Sequence, residues 1–167
     1  LAIMHLSAQT ALWFAPLVWP ICIWVAWSDM ATMRIPNKAV IALTLVFVGL
    51  GLILMPWDMF LWRLSQLAIV LGIGIFLNAA GMVGAGDAKF AAAAAPFIAL
   101  GDLRLLLALF AANLLAAFVT HRLVRHSPLR RLAPGWESWQ RGWDFPMGLS
   151  LGATLALYLG LGIFYGR

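Results

Sequence analysis

The chain has 167 residues, 64% of them hydrophobic and 10% charged, with a mean hydropathy of +0.96, whereas an ordinary soluble domain carries about 25% charged residues. So few charges cannot clothe a soluble globule, and the solvent for most of this chain is lipid. Its formal charge of +5 therefore reports membrane orientation before it reports nucleic acid, and one cysteine (Cys22) with three scattered histidines (His5, His121, His126) excludes a disulfide framework and a Cys/His metal site.

A bilayer core of about 30 Å takes roughly 20 apolar residues per helix, and six apolar runs lie between the charged punctuation. The first, 9–28, contains Pro16 and Pro20, which neighbouring helices tolerate but which predict a kink. It lacks a basic n-region and a small-residue cleavage site, so it reads as a retained helix. The second, 38–55, follows Ile35-Pro36-Asn37, where Pro36 stops the preceding segment and Asn37 is expected to cap the next helix. The third is 64–82. The fourth, 88–100, is Ala-rich and carries Pro96; at that length it is expected to be packed inside the bundle or extended by its glycine-rich entry. The fifth covers 103–120 and the sixth 145–164. Together they predict an all-α integral membrane protein, a single domain over 1–167 with about six transmembrane helices.

With the N-terminus outside, the cytoplasmic loops hold eight basic residues (Arg34, Lys38, Lys89, Arg122, Arg125, Arg130, Arg131, Arg141) and the outer segments three (Arg63, Arg104, Arg167). Both termini are therefore expected outside. The longest loop, 122–144, places Trp136, Trp139 and Trp143 at i, i+3 and i+7, the spacing of an interfacial helix on the cytoplasmic leaflet. An irregular loop with headgroup-anchored tryptophans fits the same residues.

Asp58, Asp102 and Asp144 are accounted for as helix-start residues, by capping or exposure, and Glu137 belongs to the interfacial segment. Asn78 and Asn113 read as interhelical hydrogen-bonding residues. Asp29 and Asp87 are left over. Asp29 closes the first run at a helix C-terminus, where the dipole disfavours an anion. Asp87 stands in Gly84-Ala85-Gly86-Asp87-Ala88-Lys89, between two apolar runs, with an N-cap role and a snorkelling Lys89 as its plain explanation. The topology puts both at the cytoplasmic face, where two carboxylates in contact cannot both ionise easily and together supply an acid and a base. The two helix dipoles favour the anion on Asp87 and the proton on Asp29, although such a pair titrates as a unit. This is the chemistry of aspartic peptide hydrolysis.

The stretch from Asp29 to Asn37 resembles the Asp-x5-Ile-Pro-Asn signature of prepilin peptidases, and Gly84 to Lys89 resembles their Gly-x-Gly-Asp-Ala-Lys segment. Phe145-Pro146-Met147-Gly148 is similar to the start of their last helix. The resemblance implies a bacterial inner-membrane aspartic endopeptidase that cuts the short basic leader from type IV pilin-like precursors, without metal or cofactor. It makes Asp29 and Asp87 the catalytic pair, with Gly84 and Gly86 shaping the loop around Asp87 and admitting the substrate backbone. Pro36 and Asn37 would hold the turn after Asp29, Arg34 and Lys89 would tune the pair or snorkel, and Pro146 would open the last helix. Longer members carry a cysteine-rich insert and also methylate the new N-terminus. This chain, with one cysteine and no such insert, resembles the short peptidase-only type associated with tight-adherence (Flp) pili.

Two other readings share some of these features. Presenilin-like proteases have Gly-x-Gly-Asp, but they place Tyr before the partner Asp and carry Pro-Ala-Leu, where this chain has Trp27-Ser28 and Pro96-Phe-Ile-Ala-Leu. A non-enzymatic secretion or transport subunit would use the two aspartates as a proton or ion relay.

Overall fold

The computed structural model describes residues 4–167, and among them all regular structure is helical. The helices are α1 (Ala8–Thr32), α2 (Asn37–Leu54), α3 (Trp57–Ala79), α4 (Ala85–Ala94), α5 (Leu103–Arg125) and α6 (Met147–Tyr165). All but α4 are long and apolar enough to cross a membrane. This is the polytopic helical membrane protein that the composition demands.

Helices α1 and α6 form the spine. Gly152 lets them close in, since a Cβ there would come within 2.9 Å of the Cys22 carbonyl oxygen. Beside them, Phe14 of α1, Phe47 of α2, Phe60 of α3 and Phe97 beyond α4 interlock with ring centroids 4.8 to 6.0 Å apart. This cluster, buried throughout, fixes the first four helices against one another. Helix α5 packs on α6 and leaves an apolar hollow of about 370 Å³ against α3 and α4.

Residues 4–8 pair with residues 165–167 at one end of this spine. Ser7 caps α1 by accepting from the Thr10 N–H, and the Met4 and Ala8 N–H groups donate to the carbonyls of Tyr165 and Arg167. The Asp102 carboxylate, 3% exposed, completes the clasp. It accepts from the backbone N–H groups of His5 (2.7 Å) and Leu6 (3.1 Å) and from the Tyr158 hydroxyl (2.7 Å), with His5 Nδ1 3.0 Å away. The sequence explained Asp102 by capping or exposure. It does occupy the N-cap position of α5, but its side chain caps nothing there and is instead buried among these donors.

The fourth apolar segment does pack inside the bundle, as its length predicts. It has only ten helical residues and continues as a tight turn over Ala95–Phe97. Breaking a helix in lipid frees backbone groups that cost several kcal/mol each if unpaired, and α3 and α6 supply the partners. Arg63 donates to the Pro96 carbonyl (3.3 Å). The Gln66 amide nitrogen reaches the carbonyls of Ala95 (2.9 Å) and Ile98 (3.1 Å), and the Ala99 N–H finds the Tyr158 hydroxyl (3.1 Å). Arg63 therefore belongs to no outer loop: α3 begins at Trp57, seven residues before the expected start, and buries it. The fifth helix likewise runs on past Thr120 to Arg125.

Two smaller expectations also change. The tryptophan segment forms no interfacial helix, only a single turn over Glu137–Trp139. Trp139 is buried and stacked on His121, whereas Trp143 is 88% exposed, so the three indoles share no face. Asn113 does bridge helices, donating to Thr154 Oγ1 of α6 (3.2 Å), but Asn78 only closes its own helix end on the Val83 carbonyl (2.8 Å).

Candidate active site

At the end of the spine away from the paired termini lies a polar cleft of about 570 Å³ with three walls. Asp29, Met33, Arg34, Ile35 and Asn37 come from the end of α1 and the turn into α2. Gly84 to Asp87 and Lys89 come from the start of α4. Arg141, Asp144, Phe145 and Met147 come from the loop into α6.

Asp29 lies in the last turn of α1, 5% exposed. The helix ends on Met33, whose left-handed backbone (φ 53°) turns its N–H back to the Asp29 carbonyl (2.9 Å). The Ser28 hydroxyl donates to the Arg34 carbonyl (3.0 Å) and staples the turn shut. The carboxylate does not turn to Arg34. Its Oδ2 accepts from the Gly148 N–H at 2.6 Å, in the first turn of α6. The start of α6 therefore gives this carboxyl a backbone donor and a favourable helix end that the α1 dipole alone does not supply. Gly148 is required by this approach, because a Cβ there would stand 2.9 Å from Asp29 Oδ2.

Asp87 is the third residue of α4 and Gly84 holds the cap position, so Asp87 is no N-cap. The Gly84 carbonyl accepts from the Ala88 N–H (3.0 Å), and a Cβ on Gly84 would come within 2.8 Å of Asp87 Oδ2. A Cβ on Gly86 would stand 3.4 Å from Ile35 Cβ, an ordinary contact. Burial pushes the Asp87 carboxyl up from 3.8 to about 6, and the charge of Asp29 across the cleft adds to the shift. The helix ends thus bring together the two aspartates that the sequence singled out, 58 positions apart.

The supporting residues are mixed. Pro36 takes the cap position of α2 that was expected for Asn37, and Asn37 is the first helical residue. Its side-chain oxygen accepts from Lys89 Nζ (3.4 Å), which ties the α2 start to the α4 start. Pro146, buried, occupies the cap position of α6 directly before Met147 and Gly148. Arg34 lines the cleft and is exposed.

Sequence reasoning reached the third wall only through the Phe145-Pro146-Met147-Gly148 resemblance and missed its contact with Asp29. Gly148 and Asp144 were legible only as a helix start, and nothing nearby in sequence tells that Gly148 will meet a residue 119 positions away. Arg122 and Arg125 both donate to the Gly142 carbonyl, and Arg122 also to that of Trp143, so the end of α5 braces this wall. Chemically, the cleft offers a buried carboxyl with a fixed backbone donor beside a second carboxyl that holds its proton up to about pH 6. That is an acid and a base within reach of one polar space.

Over residues 17–121 the chain matches the family model described as the type IV leader peptidase family. No curated protein and no solved structure matches it. The matched stretch contains Asp29, Pro36, Asn37, Gly84, Gly86, Asp87 and Lys89, and ends before the wall formed by residues 141–148.

Proposed function

Because the chain belongs to the type IV leader peptidase family, we propose that it is the aspartic endopeptidase that removes the short basic leader from pilin-like precursors of the tight-adherence kind. It acts at the cytoplasmic face of a bacterial inner membrane, with Asp29 and Asp87 as its catalytic pair. The observation that carries this reading is the shared cleft: two carboxyls from distant helix ends, inside the family-matched stretch, one facing a helix N-terminus and the other held protonated to about 6.

The roles follow from those surroundings. Asp29, stabilised as the anion by the Gly148 N–H, takes a proton from water as the water oxygen adds to the scissile carbonyl. Asp87 donates its proton in a hydrogen bond to the carbonyl oxygen as negative charge develops there. Collapse of the tetrahedral intermediate breaks the C–N bond, and the proton gained by Asp29 passes to the leaving amine. Burial in a low-dielectric bundle strengthens each of these interactions.

Orientation supports a cytoplasmic site. With Arg63 withdrawn into α3, the outer count falls from three to two, Arg104 and Arg167, against eight on the side of the cleft.

The test is co-expression with a pilin-like precursor of wild type, Asp29→Asn and Asp87→Asn. Each variant is expected to reach the membrane and leave the leader uncut. Normal processing by either one removes the dyad. Oxidative crosslinking of cysteines placed at 29 and 87 checks their proximity independently.

A further inference from the structure

The cleft walls carry three cationic side chains, Arg34, Lys89 and Arg141, and three carboxyls, Asp29, Asp87 and Asp144. Most are already committed. Arg141 is bound by Glu137 one turn away, through Nε at 2.9 Å and through Nη2. Lys89 reaches Asn37. Asp29 accepts from Gly148, and Asp87 is partly buried against the Gly84 backbone. Asp144 differs from the other two carboxyls: it is exposed, and among the described residues it has neither an ion pair nor a side-chain hydrogen bond.

Its placement is nevertheless fixed. The carbonyls of the two preceding residues are held by Arg122 and Arg125, and its own N–H donates to the Arg141 carbonyl (3.1 Å). Glu137 neutralises Arg141, the cation of the same wall, and so leaves the negative charge of Asp144 uncompensated there. Arg34 and Lys89 lie on the other two walls. A polypeptide laid in the cleft therefore meets positive charge on the α2 and α4 sides and a free carboxylate on the α6 side.

We infer that Asp144 is a specificity-determining residue whose carboxylate takes a cationic side chain, lysine or arginine, of the polypeptide close to the scissile bond. This rests on the peptidase reading above and refines it, because it locates the charge recognition on one residue outside the catalytic pair. An exposed ion pair is worth a few-fold in affinity, weakens with salt, and acts on binding more than on the chemical step.

The experiment uses the full chain in neutral phosphatidylcholine nanodiscs. Two synthetic precursors with the same apolar helix carry either lysine or glutamate at one position beside the scissile bond. Asp144→Asn is expected to lower kcat/KM for the lysine precursor about fivefold through KM, with kcat retained. Asp144→Lys is expected to lower it further and to raise cleavage of the glutamate precursor, and both differences shrink at about 0.5 M salt. Equal changes on both precursors, or none, overturn the assignment while leaving the peptidase reading intact. Wild-type protein that cleaves neither precursor overturns both.

Discussion

The two ends of the bundle each bury carboxyl groups, and they do so in opposite ways. At the end where the termini pair, Asp102, 3% exposed, accepts from two backbone N–H groups and a tyrosine hydroxyl, with a histidine alongside. At the other end, Asp29 has one backbone donor, Asp87 has a second carboxyl for a neighbour, and both face a cleft of about 570 Å³. A buried charge with all its partners holds structure together. Two that share too few partners keep a proton between them and remain available to a substrate.

That contrast can be broken at several points. The largest effect is expected at the saturated end. Asp102→Ala leaves the His5 and Leu6 N–H groups and Tyr158 without their acceptor and should cost about 3 kcal/mol of stability. Thermal unfolding in detergent reads this, and an unchanged Tm would show that the clasp is dispensable.

Next comes Gly148→Ala. The added methyl group must displace the Asp29 carboxylate, which lies 2.9 Å from where the Cβ would sit. A displacement of that kind should lower kcat about a hundredfold. Tm should change far less than in Asp102→Ala, and retention of full kcat would show that the contact with α6 does not position Asp29.

The smallest effect is a pH dependence. Asp87, raised to about 6, must keep its proton to act as the acid. That form is half present at pH 6 and is lost as pH rises further, so kcat/KM should fall about tenfold per unit above an apparent pKa of about 6. A rate flat to pH 8 would assign the acid to another group.

How much of this was legible in the sequence depends on the range of the interaction. The apolar runs and the isolation of Asp29 and Asp87 follow from local composition, because lipid penalises every unescorted charge where it stands. Asp102 carries the same charge and was explained away by its position at a helix start. Its backbone donors, His5 and Leu6, arrive from 97 and 96 positions off, and no local pattern announces them. Arg63 was misplaced for a related reason. A charge usually punctuates a membrane helix, but here it is drawn inside by the carbonyls that Pro96 frees. Trp136, Trp139 and Trp143 have helical spacing, yet the arginines of α5 hold the Gly142 and Trp143 carbonyls and shape the loop instead.

The most direct test of the account measures two quantities on the same preparations of wild type, Asp29→Asn, Asp87→Asn and Asp102→Asn: Tm, and the rate of precursor cleavage per folded molecule. The account predicts that the first two variants keep their Tm and lose cleavage, while Asp102→Asn loses Tm and cleaves at the wild-type rate for the fraction still folded. Cleavage surviving in Asp29→Asn or Asp87→Asn, or vanishing from folded Asp102→Asn, would contradict it.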